Sequence, residues 1–243
     1  MNILDIAIIV VLALYVISGM YRGAITSVLG TIGFGAAWFI ARQVYPSVAK
    51  LALSKQTLMA VLNQYLEPEN FFANHAQAIT RVSEVIAGGE SSIQGAINLI
   101  GDKIPVIAKA FEANVRYQMF QNLGIDTLAE YLDQTIWQAV FNVGAFVLCF
   151  VVFYIVSSLI VNLLDRVISF PLFRGIDWLL GGIFGLLRGL VVVLLMICLL
   201  PSLIQIVSPD FAATLTEGST LYAIVTQMDM FKVQNLVRGL IGG

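Results

Sequence analysis

The sequence predicts an all-α integral membrane protein with four transmembrane helices in two hairpins, and an amphipathic helical region inserted between them. Three observations carry that prediction. Of 243 residues 59% are hydrophobic and only 12% are charged, about half the charge of a soluble domain, and the mean hydropathy is +0.90. The few charges are unevenly spaced: 16 uncharged residues separate Asp5 from Arg22, 19 separate Arg22 from Arg42, 31 separate Asp133 from Asp165, and 21 separate Arg188 from Asp210. A bilayer core of about 30 Å needs roughly 20 apolar residues at 1.5 Å each. Finally, no stretch alternates with period two for long enough to suggest a sheet.

The first span is expected over Ile3–Met20. It lacks a basic leader, carries Asp5 at its start and runs into Arg22 without a small-residue cleavage site, so it reads as a retained helix rather than a signal peptide. The second is expected over Ala24–Ala41. Only Met20 to Gly23 separate the two, which makes a tight antiparallel hairpin of residues 1–45.

Residues 46–136 hold 6 basic and 9 acidic residues, more than half of all the charge. They read as short amphipathic helices. Ser47 to Leu66 places Val48, Leu51, Leu58, Leu62 and Tyr65 on one face. Pro68 opens a second helix that Gly88 and Gly89 end. A third runs from Ser91 to Ile100, and a fourth from Pro105 to Asn122, closed by Gly124. Asp126 is expected to cap the helix that leads into span three. Two readings stay open: a small helical domain on the membrane surface, or a membrane-inserted belt anchored by Phe71, Phe72 and Phe111.

The second hairpin, residues 137–207, is expected to hold spans Trp137–Leu163 and Leu179–Leu200, with Pro171 and Gly175 breaking periodicity between them. Residues 208–243 form an amphipathic tail. Arg22, Arg166 and Arg174 lie at the two hairpin turns, which predicts that the turns face the cytoplasm and that both termini are external. Arg42, Lys50 and Lys55 oppose this, but they belong to a loop too long for the rule.

Two small-residue ladders stand out. Gly19, Gly23, Ser27, Thr31 and Gly35 recur every four residues, with Gly33, Ala37 and Ala41 in a parallel row, and Gly181, Gly185 and Gly189 repeat the step in span four. Such spacing lets helix backbones approach closely. The faces either pack together, within the chain or between copies, or line a lumen.

The ionisable residues of the spans are more pointed. A charge at a helix centre costs about 2.5–3.5 kcal/mol on insertion scales, so Arg188 needs a partner. Asp177 shares its helical face, since eleven steps of 100° leave only about 20° of offset, but lies about 16 Å away along the axis. Asp165 and Asn162 are the expected partners. In an alternative register, Ile176 to Leu187 is a half-buried, interfacial or re-entrant piece, the true span is Leu190–Val207 with a kink at Pro201, and Arg188 snorkels at the boundary.

Catalytic constellations are missing. The chain has a single histidine, His75, expected at the surface, and two cysteines, Cys149 and Cys198, both expected to pack within spans. It has no phosphate-binding loop, nucleophile elbow or Cys-x-x-Cys. Neither enzymatic activity, nor a cofactor or metal, nor nucleic acid binding is expected.

The opening LDIAIIVVLALYVISGMYRGAITSVLGTIGFGAAWFIA, with Asp5 at the start and Arg22-Gly23 at the turn, resembles the start of the bacterial colicin V production protein (CvpA) family. So does the second hairpin, with Asn162 and then DWLLGGIFGLLRGLVVV, which places the family's signature at Asp177, Gly181, Gly185, Arg188 and Gly189. Where many members carry a basic residue and an acid after the first Arg-Gly, this chain has Thr26 and Ser27. The resemblance implies a four-span bacterial inner-membrane protein that assists toxin or bacteriocin production or export and envelope homeostasis. The expected partners are the lipid bilayer, a second copy of the chain through the Gly-ladder faces, and envelope or secretion proteins. The competing expectation is a small oligomeric channel or transporter in which Asp5, Arg22, Asp177 and Arg188 line a path.

Overall fold

The computed structural model describes residues 2–54, 66–167, 174–207 and 209–227. Among them there is no strand, and four helices are long and apolar enough to cross a membrane. The described residues fall into two compact units, one drawn from the chain up to Tyr45 and from Phe146 onward, the other from Pro46–Ala145.

In the first unit, α1 (Ile3–Arg22) opens with a capping box: Asn2 accepts from its first turn, and the Asp5 carboxylate accepts from Asn2 N at 3.1 Å. It stops at Gly23, whose φ of 79° and N–H to Gly19 O close the last turn. The next helix, α2 (Ala24–Leu53), starts at once. It continues through Pro46, so the amphipathic helix expected from Ser47 is joined to span two as far as Leu53. A proline costs a helix one N–H bond and adds a clash with the previous turn, but does not have to end it where packing holds both sides. Leu58, Leu62 and Tyr65 of that expected helix lie outside the described residues.

The third span belongs to α7 (Leu128–Val167) and the fourth to α8 (Arg174–Val207). Gly175, expected in the connection, lies inside α8, and Pro171 lies outside the described residues. The α8 helix is continuous through Arg188 and Pro201. Helix α1 packs on α8, and α2 packs on α7 through an aromatic ladder: Phe34 stands edge-on to Phe150 at 5.1 Å and Trp38 edge-on to Phe146 at 5.0 Å. In the neighbouring small-residue row, Gly33 faces Ser157, and Ala37 and Ala41 are fully buried. The opposite face of α1 turns Ile6, Val10, Leu14 and Ile17 outward, the apolar stripe a bilayer requires.

Two short helices complete this unit, α9 (Pro209–Thr216) and α10 (Thr220–Gln227). Leu215, Leu221 and Tyr222 pack on a cluster of Leu4, Ile8, Val193 and Ile197, so this part of the expected tail is docked on the bundle.

The second unit has its own core. Ile100, Ile104, Ile107, Phe111 and Val115 meet Tyr131, Leu132 and Ile136 with at most 1% of each exposed. The helix expected between Pro68 and Gly88 is instead three short pieces: a 3-10 turn (Pro68–Phe71), α3 (His75–Ala78, capped by Asn74) and α4 (Val82–Ala87). Asn74 ends one piece by capping the next, which its side chain does better than continuing a helix. Then come α5 (Glu90–Lys103) and α6 (Pro105–Arg116), the latter ending six residues before the expected Asn122. Residues 121–123 form a separate 3-10 turn before the left-handed Gly124.

Thr127, not Asp126, caps α7. Its hydroxyl accepts from Glu130 N while the Glu130 carboxylate accepts from Thr127 N at 3.0 Å, the reciprocal box that a T-x-x-E sequence makes. Phe72 and Phe111, the anchors of the membrane-belt reading, are buried. His75 is exposed and meets Glu69 at 2.8 Å, and Cys149 is a free, buried packing residue.

Candidate functional site in the membrane unit

The one-residue break at Gly23 makes an elbow between α1 and α2, and α8 grips it. The Asp177 carboxylate accepts from Ala24 N at 2.7 Å. It serves α2 as a cap supplied by another helix, a negative charge at the positive end of the dipole. A side chain on Gly23 would strike this carboxylate and would also strain the positive φ, so two independent reasons require glycine here.

Three turns further along α8, Arg188 is 7% exposed and donates from Nη2 to Ser27 O at 3.0 Å. Gly30 leaves room for the guanidinium, which a Cβ would overlap. Ser27 also ties the elbow from within, because its hydroxyl donates to Gly19 O at 3.1 Å. Asp177 and Arg188 thus share a face, do not pair, and hold two points of α2 three residues apart. Their long side chains reach back from α8 toward its N-terminal end, which brings the guanidinium nearer the elbow than its backbone position implies.

The expected partners of Arg188 are not the observed one. Asn162 is exposed, and the Asp165 side chain lies outside the described residues. Among the described residues no carboxylate pairs with Arg188, and its Nε is buried without a hydrogen bond. A carbonyl in a helix leaves a second lone pair free, and Ser27 O uses it for this charge. Arg22 is exposed and lines, with Arg188, Tyr154 and Ser157, a cavity of about 10 Å³, room for one water.

Below this elbow the glycines do the packing. Gly19 lies so close to α8 that a Cβ on it would overlap Gly181 O and press on Gly185 Cα, while Gly185 faces Tyr15 O. Gly189 meets the side chains of Tyr15 and Leu12. Gly35, at the far end of the same ladder, has open space around it.

Asp5 belongs to a different cluster, at the opposite end of α1. It is 1% exposed and accepts from Asn2 N, from the Ser219 hydroxyl at 2.6 Å, and from the N–H groups of Thr220 and Leu221 at the start of α10. Asn2 Nδ2 donates to Leu215 O and Glu217 O at 2.8 Å each, at the end of α9. One capping box therefore closes three helix ends. Asn2 and Ser219 were not legible as site residues. The available signal was Gly218-Ser219, a helix stop followed by a cap, which points to a turn but not to its partner.

The arrangement provides donors and acceptors that fix helix ends. No curated protein and no solved structure matches the chain. The family described as colicin V production protein matches residues 4–82 and 119–230, which takes in both the elbow and its α8 grip and passes over most of α4, α5 and α6. By that match, over most of its length, the chain belongs to the colicin V production protein family.

Proposed function

We propose that this protein is a non-enzymatic inner-membrane component that assists the production or export of a peptide toxin, and envelope homeostasis, by presenting a rigidly packed bundle to envelope or secretion proteins. The observation that carries this reading is the use made of the charges in the spans. Asp5 and Asp177 cap helices, and Arg188 binds a helix carbonyl. Groups spent on helix ends fix a shape, as buried polar locks do elsewhere. Arg22 at the elbow and Arg166 and Arg174 flanking the other connection support an orientation with those turns in the cytoplasm and both termini outside. A second copy meets the chain at Gly35, the ladder position left uncovered.

The channel reading draws on one observation, the cavity shared by Arg22 and Arg188. Its size, about one water, favours packing over conduction. Substituting Arg188→Ala separates the two. The packing reading expects less folded protein and lower toxin export by producing cells. Normal amounts of folded protein with loss of ion or solute flux in liposomes would sink it in favour of the channel.

A further inference from the structure

The helical unit holds a cavity of about 620 Å³ that the toxin-linked reading does not use. It lies among the 3-10 turn Pro68–Phe71, the turn at Ile79 and the start of α7. Four carboxylates line it, Glu67, Glu69, Glu130 and Asp133, and among the described residues its lining contains no lysine, arginine or histidine. Three of the four already have donors: Glu67 accepts from Asn70, Glu69 meets His75, and Glu130 accepts from Asp126 N and Thr127 N.

Asp133 differs. It is 5% exposed, and among the described residues its Oδ1 has no hydrogen-bond partner. The indole N–H of Trp137, one turn along α7, is near this carboxyl but outside hydrogen-bond geometry. Burying an unpaired carboxylate is costly, and a cation that also donates hydrogen bonds relieves the cost.

The lining narrows the cation. Among the described residues no three acidic, histidine or cysteine side chains converge as a metal site, so the carboxylates are spread around the wall rather than gathered on a point charge. Between them lie hydrocarbon surfaces of Leu66, Pro68, Ile79, Ile125 and Ala129. Separated anions with apolar stretches between them match separated ammonium groups joined by methylenes, and the volume is that of a small-molecule site. We propose that this cavity binds a linear aliphatic polyamine, with one ammonium donating to the Asp133 carboxyl group and another near Glu67 at the rim.

The test uses the full chain in detergent micelles, titrated with spermidine by calorimetry and followed by thermal unfolding. The expected result is saturable binding of one spermidine with a rise in Tm, and no matching rise with Mg²⁺ or butylamine at equal ionic strength. Asp133→Asn should weaken spermidine binding at least about tenfold, with an unfolding temperature no lower than the parent's, because an unpaired charge has been removed. Glu67→Gln should weaken it by about threefold and serves if the first variant does not fold. Equal binding by Asp133→Asn, or by Glu67→Gln where that variant alone folds, would overturn the proposal. So would an equal response to Mg²⁺, and tighter binding of a lysine-rich peptide would reassign the cavity to a protein partner.

Discussion

At Gly19 one methyl group separates two helices from a clash. A Cβ there would run into backbone atoms of α8, which cannot swing aside as a side chain can. Gly19→Ala is therefore expected to cost about 1–3 kcal/mol by overpacking. Gly35→Ala, into space that is open within one copy, should gain about 0.5 kcal/mol in the monomer through lower unfolded-state entropy. Paired unfolding curves of the two variants check this contrast, and equal losses would contradict it. The same ladder step was legible for both residues, because spacing reveals which positions share a face. It does not reveal which end of that face is covered. Arg188 shows a related limit: its depth and its need for a partner could be read from neighbouring charges, but its acceptor, Ser27 O, is a backbone atom that every residue type carries.

Among the elements, the α5–α6 pair owes part of its closure to Arg116, which binds Glu90 and also Glu112 at 2.9 Å. The guanidinium holds the Glu90 carboxyl well below its ordinary 4.5, at about 2. A depressed acid stabilises the fold above its unfolded value and loses that contribution as protons return. Amide protection factors in α5 and α6, taken relative to intrinsic exchange at each pH, should thus fall as pH drops from about 4.5 toward about 2, and Glu90→Gln should remove that dependence. At α7, Thr127→Ala is expected to cost about 1 kcal/mol and Asp126→Ala less than about 0.5 kcal/mol, measured by chemical unfolding. The two neighbours offered equal capping chemistry in the sequence, and the deciding signal was Glu130 three residues after Thr127. The long helices were legible from charge spacing. Their extensions past the bilayer length were not, because Pro46 and Gly175 read as breaks while packing carries the helix through them.

For the whole molecule, the hydrogen bonds from Asn2 and Asp5 place the start of α1 and the α9–α10 turn at the same end of the bundle. The proposed orientation is tested by reporter fusions at Gly88 and Gly243: both are expected to report an external location, and a cytoplasmic signal from either would reverse it. Four apolar stretches and a charged insert were visible from composition alone. The pairing of α1 with α8 was not, since a glycine face states that a helix is approached closely without stating by whom. The three-ended cap around Asp5 sets a timetable for biosynthesis. The ribosome makes Asp5 first of the pair, and its partner Ser219 lies 214 positions later. At 5–20 residues per second the ribosome needs roughly 10–40 s to deliver it. For that interval the Asp5 carboxylate holds only its capping bond to Asn2 N, so a nascent chain stalled before Ser219 is distinguishable from one that has passed Leu221 by the contacts still open at the start of α1.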